Sequence, residues 1–314
     1  MDSSRSSSDV RSLAAAGRSR AWPTHAALLG VQAAFAAAAV EGKLALGPVA
    51  EGGEGVEPLA LAMARMTGAA LFFQVVMRGT GRIRPLPWVD HARIMALSVL
   101  GIVLNQTLYL VGLRITTPFA AALLGATIPV FTAAVAIVLR VERADVRTWV
   151  GLALAFSGVL WLTGIGSIDL GAVVIAANCL SYSLYIVLSK PVIERVGAAT
   201  LVTWLFTWGA VILAPLGGVA LVSGATHWSA RGWLLVGFFV AVPTIFAYFA
   251  NAWALARTSP TVVTIYIYLQ PLLAALLQWF QLGVPVTSRA LVATAFILGG
   301  VAVVTMRRSM RAQV

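Results

Sequence analysis

The sequence predicts an all-α integral membrane protein whose ten transmembrane helices form two inverted five-helix repeats, and three observations carry this. Of the 314 residues, 60% are hydrophobic and 11% charged, with a mean hydropathy of +0.91, a composition outside that of soluble domains. The apolar residues fall in successive runs of roughly 18 to 23, each enough to cross a hydrocarbon core of about 30 Å as a helix. These runs lack the alternation of a membrane barrel, and a helix satisfies its own backbone where lipid cannot. The chain also repeats itself, because an offset of 142 residues lays Pro118 on Pro260, Pro129 on Pro271 and Gly158 on Gly300. A unit of five helices is odd, so the two halves enter the membrane in opposite directions, as in secondary transporters whose site lies between the halves.

Apolar runs bounded by Pro, Gly and charge place helices at 24–47, 59–77, 91–112, 118–139, 148–164, 170–190, 200–222, 232–254, 260–282 and 288–306. Residues 24–164 form the first unit and 170–306 the second, between basic cytoplasmic tails at 1–23 and 307–314. The first tail, rich in Ser, Arg and Ala, reads as disordered, and whether it is a targeting segment stays open. Of 22 Lys and Arg residues, Lys43 and Arg65 lie inside spans and Arg114, Arg231 and Arg289 lie in loops on one side. All the others lie on the side of the termini, which puts both termini in the cytoplasm of a cell (inner or plasma) membrane. The net charge of +11 therefore orients the chain and does not imply a nucleic-acid partner. Cys179 is the single cysteine, which excludes a disulfide framework and a Cys-based metal site, and no glycine-rich phosphate loop is present. No metal or cofactor is expected; the expected partners are a small-molecule substrate and the lipid bilayer, with a homodimer open.

Polar and aromatic residues at helical spacing mark faces turned to a cavity or to another helix. The sixth span offers Asn178, Ser181, Tyr182, Tyr185 and Ser189 on one side. The third offers Ser98, Asn105 and Tyr109, the eighth Thr244, Tyr248 and Asn251, the ninth Thr264 and Tyr268, and the first Gln32. Aromatic walls with a few hydrogen-bonding groups are the usual chemistry of small-molecule sites, and interhelical bonding by the same residue types is the competing account. Trp204 and Trp208 in the seventh span read as interface anchors, like Trp22, Trp88, Trp149, Trp228 and Trp233.

Glu41, Lys43 and Arg65 are costly inside spans. Glu41 and Arg65 each lie about 9 to 10 Å below the outer boundary of an antiparallel pair, at a rise of about 1.5 Å per residue. Equal depth predicts an ion pair between them. Glu41 is the carboxylate placed within a span and so the candidate proton carrier, unless Arg65 holds it ionised. Lys43 either reaches the outer surface or faces the cavity as a site for an anionic group.

The segments "EGKLALG", "ALAMARMTGAALFF", "NQTLYLVGLRITTPFAAALLGATIPVFTAAVAIVLRVE" and "GLALAFSGVLWLTG" resemble the EamA-type members of the drug/metabolite transporter superfamily, over about residues 25 to 306. The resemblance extends to the plant nodulin-like branch and to bacterial exporters. It implies a basket of ten helices around a central cavity, cytoplasmic termini, export or exchange of small metabolites, and a cavity position for Lys43. Family members carry a Gly-Glu pair after the fourth and ninth spans; here Glu142 fills the first position and Val284 stands at the second.

The leading expectation is a secondary active transporter of small organic metabolites, an exporter or exchanger working by alternating access. An uncoupled channel or facilitator and a transport-inactive membrane sensor are the alternatives. An intramembrane enzyme ranks last, because His25, His91 and His227 lie at span ends or loops and no HExxH occurs.

Overall fold

The structure is a computed structural model that describes residues 4–81, 85–140, 146–163, 170–255, 257, 266–288, 291–296 and 298–300. Among these residues the secondary structure is helical, with no strand. The helices are α1 Ser4–Leu46, α2 Pro58–Gly79, α3 Trp88–Ile115, α4 Pro118–Val138, α5 Val146–Thr163, α6 Leu170–Val196, α7 Ala198–Ala225, α8 Ala230–Ala254, α9 Leu269–Leu282 and α10 Leu291–Gly300. Seven are long and apolar enough to cross a membrane: α2, α3, α4, α6, α7, α8 and the part of α1 from Trp22 to Leu46. This is an integral multi-pass membrane protein.

α1 begins at Ser4 and so includes most of the segment expected as a tail. Its "LAAAGRSRA" run is rich in Ala and Arg, which favour helix, and Pro23 interrupts the bonding without ending it.

Lipid replaces water as the solvent of the outer faces. On α2, Leu61, Met66 and Phe73 are buried while Leu71 and Val75 are 63% and 70% exposed, a split between two apolar faces that only a bilayer tolerates. Four of the expected anchors, Trp22, Trp88, Trp149 and Trp233, are exposed. Trp204 and Trp208 are not. Trp204 packs edge-on against His91 at 4.4 Å between centroids, and Trp208 Nε1 lies 3.4 Å from His91 Nδ1, so this pair joins α7 to α3 inside the bundle.

The packing is crossed between the halves. α6 lies against α3 and α4, and α1 lies against α8 and α9. The first helix of each repeat thus packs on the third and fourth helices of the other. α2 packs on α7 and α8, not on its sequence neighbour α1. Where α1 approaches α3 and α8, Gly42 leaves room for Leu113 and Phe239; a Cβ there would stand 2.6 Å from Leu113 Cδ2.

Two widened π-helical turns interrupt the third helix of each repeat, at Val99–Leu104 in α3 and Ala241–Phe246 in α8. The 142-residue offset superposes them end to end. In α8 the cause is Pro243, which has no N–H to close the regular ladder; at the equivalent place α3 has Gly101. α4 breaks at Ala126–Thr127, just before Pro129, and α9 starts just before the equivalent Pro271.

Candidate central cavity

A cavity of about 110 Å³ opens between the halves, walled by α1, α2, α3, α4, α6, α8, the turn leading into α9 and the start of α9. Its lining is symmetric in sequence. Gln106 and Tyr248, Tyr109 and Asn251, Gly125 and Ile267, and Ile128 and Gln270 are four pairs related by the repeat offset, and all eight residues line it. The two copies of the unit therefore meet at this cavity, each presenting the same stations with different chemistry.

On the α3 side, α6 donates to a carbonyl within the widened turn and to that of the residue that follows it. Ser181 Oγ donates to Leu100 O at 2.8 Å and Asn178 Nδ2 to Asn105 O at 2.5 Å. Tyr185 lies flat over Gly101, where a Cβ would come within 2.4 Å of its ring. The polar stripe of α6 thus divides. Asn178 and Tyr182 face the cavity; Ser181 and Tyr185 join helices, and Ser189 bonds Ile186 O of its own helix. Tyr182 and Tyr185 remain in ring contact at 5.6 Å.

On the α8 side the orphan is Phe239 O, four residues before Pro243, and Thr244 Oγ1 donates to it at 2.6 Å. The same hydroxyl accepts from Arg65 Nε at 2.8 Å, and the guanidinium lies over the Phe239 ring at 5.3 Å. Arg65 is 4% exposed and lines the cavity. Asn105 closes the wall between the halves by accepting from the Tyr248 hydroxyl at 3.3 Å, and Phe35 meets the Tyr248 ring edge-on.

The structure brings Asn105, Tyr109, Asn178, Tyr182, Tyr248, Asn251 and Arg65 into the lining. It does not bring the others. Ser98 bonds Leu205 O at 2.6 Å between α3 and α7, and Thr244 stands behind Arg65. Gln32 accepts from Gln270 Nε2 at 2.6 Å, one residue removed from the wall. Tyr268 packs against the cluster around Phe119 and Leu123. Thr264 and Glu142 lie outside the described residues.

Lys43 is not in the cavity. Its ammonium donates to Arg114 O and Thr116 O, both at 2.8 Å, and lies 3.5 Å from Leu113 O. It caps the C-terminus of α3, where carbonyls lack intrahelical donors and the helix dipole is negative. The Glu41–Arg65 ion pair also does not form. Glu41 Oε1 meets Gln281 Nε2 of α9 at 3.4 Å, whereas Arg65 turns toward α8. Equal depth is not adjacency, because α1 and α2 pack on different partners.

Phe35, Gln106 and Gln270 line the cavity without having stood out in the sequence. The signal for two of them was available: Gln106 is the repeat mate of Tyr248, and Gln270 that of Ile128. Phe35 lies in an alanine run and carried none.

An all-helical bundle of membrane-crossing length, with a cavity lined by both sequence repeats, defines a polytopic membrane protein. The chain belongs to the EamA-like transporter family of the drug/metabolite transporter superfamily, whose profile matches twice, over residues 25–164 and 169–306. It is 27% identical to the uncharacterized transporter YdfC of Bacillus subtilis over 256 residues, covering 79% of this chain and 82% of that one. It is 25% identical to the uncharacterized inner membrane transporter YedA of Escherichia coli K12, over 77% and 83% of the two chains. A WAT1-related protein of Arabidopsis thaliana is 23% identical over 67% and 63%. A solved crystal structure shares the fold, with a TM-score of 0.62 at 19% identity over 90% of this chain and 98% of that one. The bacterial relatives are named as transporters, not as enzymes.

Proposed function

We propose that this protein is a secondary transporter, exporting or exchanging a small organic solute by alternating access in the cell's inner or plasma membrane. Ten spans in two inverted halves, with both termini cytoplasmic, would rock about the central cavity. The observation that carries this reading is the set of four offset-related pairs lining one cavity, since a site between repeats is where a rocking motion exposes the same groups to either side in turn. The broken α4 and the two widened turns would let the cavity change shape as the halves rock. One chain completes the lining, so a homodimer would carry two sites.

Counterflow in proteoliposomes tests the reading. Trapped unlabelled solute should drive transient accumulation of the labelled form, as a carrier requires and a channel cannot produce. Leakage without accumulation, over a broad panel of metabolites, would replace the carrier with a facilitator. Impermeant thiol labelling of single cysteines placed near residue 10 and in the 48–57 loop should mark opposite sides of the membrane.

A further inference from the structure

We infer that the solute is an organic anion, a carboxylate with an apolar body, and that Arg65 and Gln106 hold its carboxylate; this rests on the transporter reading above. A guanidinium has five N–H donors. Arg65 uses one of them, on Thr244, and among the described residues its terminal amino groups donate to nothing. No described carboxylate lies within ion-pair distance of it, and none lines the cavity. A cation that is 4% exposed, inside a membrane, and held by one neutral hydroxyl and one ring face is far from compensated. The missing partner is an anion, and the planar fork of two terminal amino groups matches a carboxylate.

Gln106 supports the same assignment independently. It is 2% exposed and lines the cavity, and apart from an approach to the Tyr248 hydroxyl its amide atoms have no partner among the described residues. A buried amide in that state is a recognition group waiting for a polar ligand. Its Nε2 can donate to a carboxylate held by Arg65. The rest of the wall fixes the body: Phe35, Tyr182 and Tyr248 offer ring faces and edges, and Ile128, Ile186 and Ile267 are apolar. The described lining contains no carboxylate to pair with an ammonium and does contain the Arg65 guanidinium, so the chemistry selects an acid over a zwitterionic amino acid or a cationic amine.

The test uses one carbon skeleton in four charge states: 3-phenylpropionate, phenylalanine, 3-phenylpropionamide and phenethylamine, with 4-methylpentanoate and its amide as a second body. Binding to the purified protein is read from the ligand-dependent shift of thermal unfolding, and transport from counterflow. The acids should bind at least tenfold more tightly than their amides, the amine or the amino acid. Arg65→Gln should lose that preference, Arg65→Lys should keep part of it, and Gln106→Leu should weaken acid binding severalfold. If Arg65→Gln is not monodisperse, Arg65→Lys, Gln106→Leu and the charge series on the native protein decide. Failure of every acid to bind, equal binding of amide or amine, or acid binding unchanged by the substitutions would overturn the inference. Counterflow of the amine or amide alone leaves the transporter reading standing and removes the anion. Acid binding without counterflow does the reverse.

Discussion

The widened turns of α3 and α8 occupy the same station in two copies of one unit, and they have been put to different uses. In α3 the carbonyls of Leu100 and Asn105 are tied from outside, by Ser181 and Asn178 of α6, and a tyrosine ring covers the glycine. In α8 the freed carbonyl is capped from within, by Thr244, and that hydroxyl then holds Arg65 at the cavity wall. One turn is a joint between the halves. The other is a mount for a charge. The lesson is that a repeat transmits backbone irregularity more faithfully than side-chain chemistry: the widened turn recurs, and each half ties down different carbonyls around it with whatever its neighbours provide.

Breaking the joint should have the largest effect. Gly101→Leu drives a side chain into the Tyr185 ring, and overpacking of this kind costs about 1–3 kcal/mol or more, enough to lower the unfolding midpoint measurably and to separate α6 from α3. Gly101→Ala should show the same sign at smaller size. Dismantling the mount comes next. Thr244→Val removes the cap on Phe239 O and the acceptor for Arg65 Nε together, a loss of about 1–3 kcal/mol by thermal unfolding, with transport affinity falling alongside. Stability lost with affinity unchanged would separate Thr244 from the site.

Ser181→Ala tests the joint more gently. Interhelical hydrogen bonds within membranes average about 0.6 kcal/mol, so a small drop in midpoint with unaltered solute affinity is expected. A large fall in affinity would instead move Ser181 into the site. Lys43→Ala should cost a similar amount or less through the end of α3, again without changing affinity, because its ammonium is committed to backbone carbonyls. Glu41→Gln should be smallest of all. Its contact with Gln281 is long, and an amide can replace the carboxylate in it. Gradient-driven accumulation that survives this substitution removes Glu41 as a proton carrier.

The helical class, the membrane-crossing lengths and the doubled unit were legible in the chain. They follow from apolar run length and from residues such as Pro129 and Pro271, whose effects act on their own stretch of backbone. Seven of the ten expected spans were legible too, as were most cavity candidates on α3, α6 and α8, since a polar face at helical spacing needs only the helix to be right. Spacing could not say which member of a face meets the cavity and which meets another helix. Asn178 and Tyr182 went one way and Ser181 and Tyr185 the other, because α6 rolls onto α3 across the repeat boundary.

The charges show the limit most clearly. Their depth in the membrane could be counted from the ends of the spans, which is a property of the sequence. Their partners could not. Depth along a helix is fixed by a rise per residue, whereas azimuth and neighbours depend on how helices distant in sequence pack. The crossed packing of α1 on α8 and α9, and of α2 on α7 and α8, sent Glu41 to Gln281, Lys43 to the end of α3, and Arg65 to the wall of the cavity.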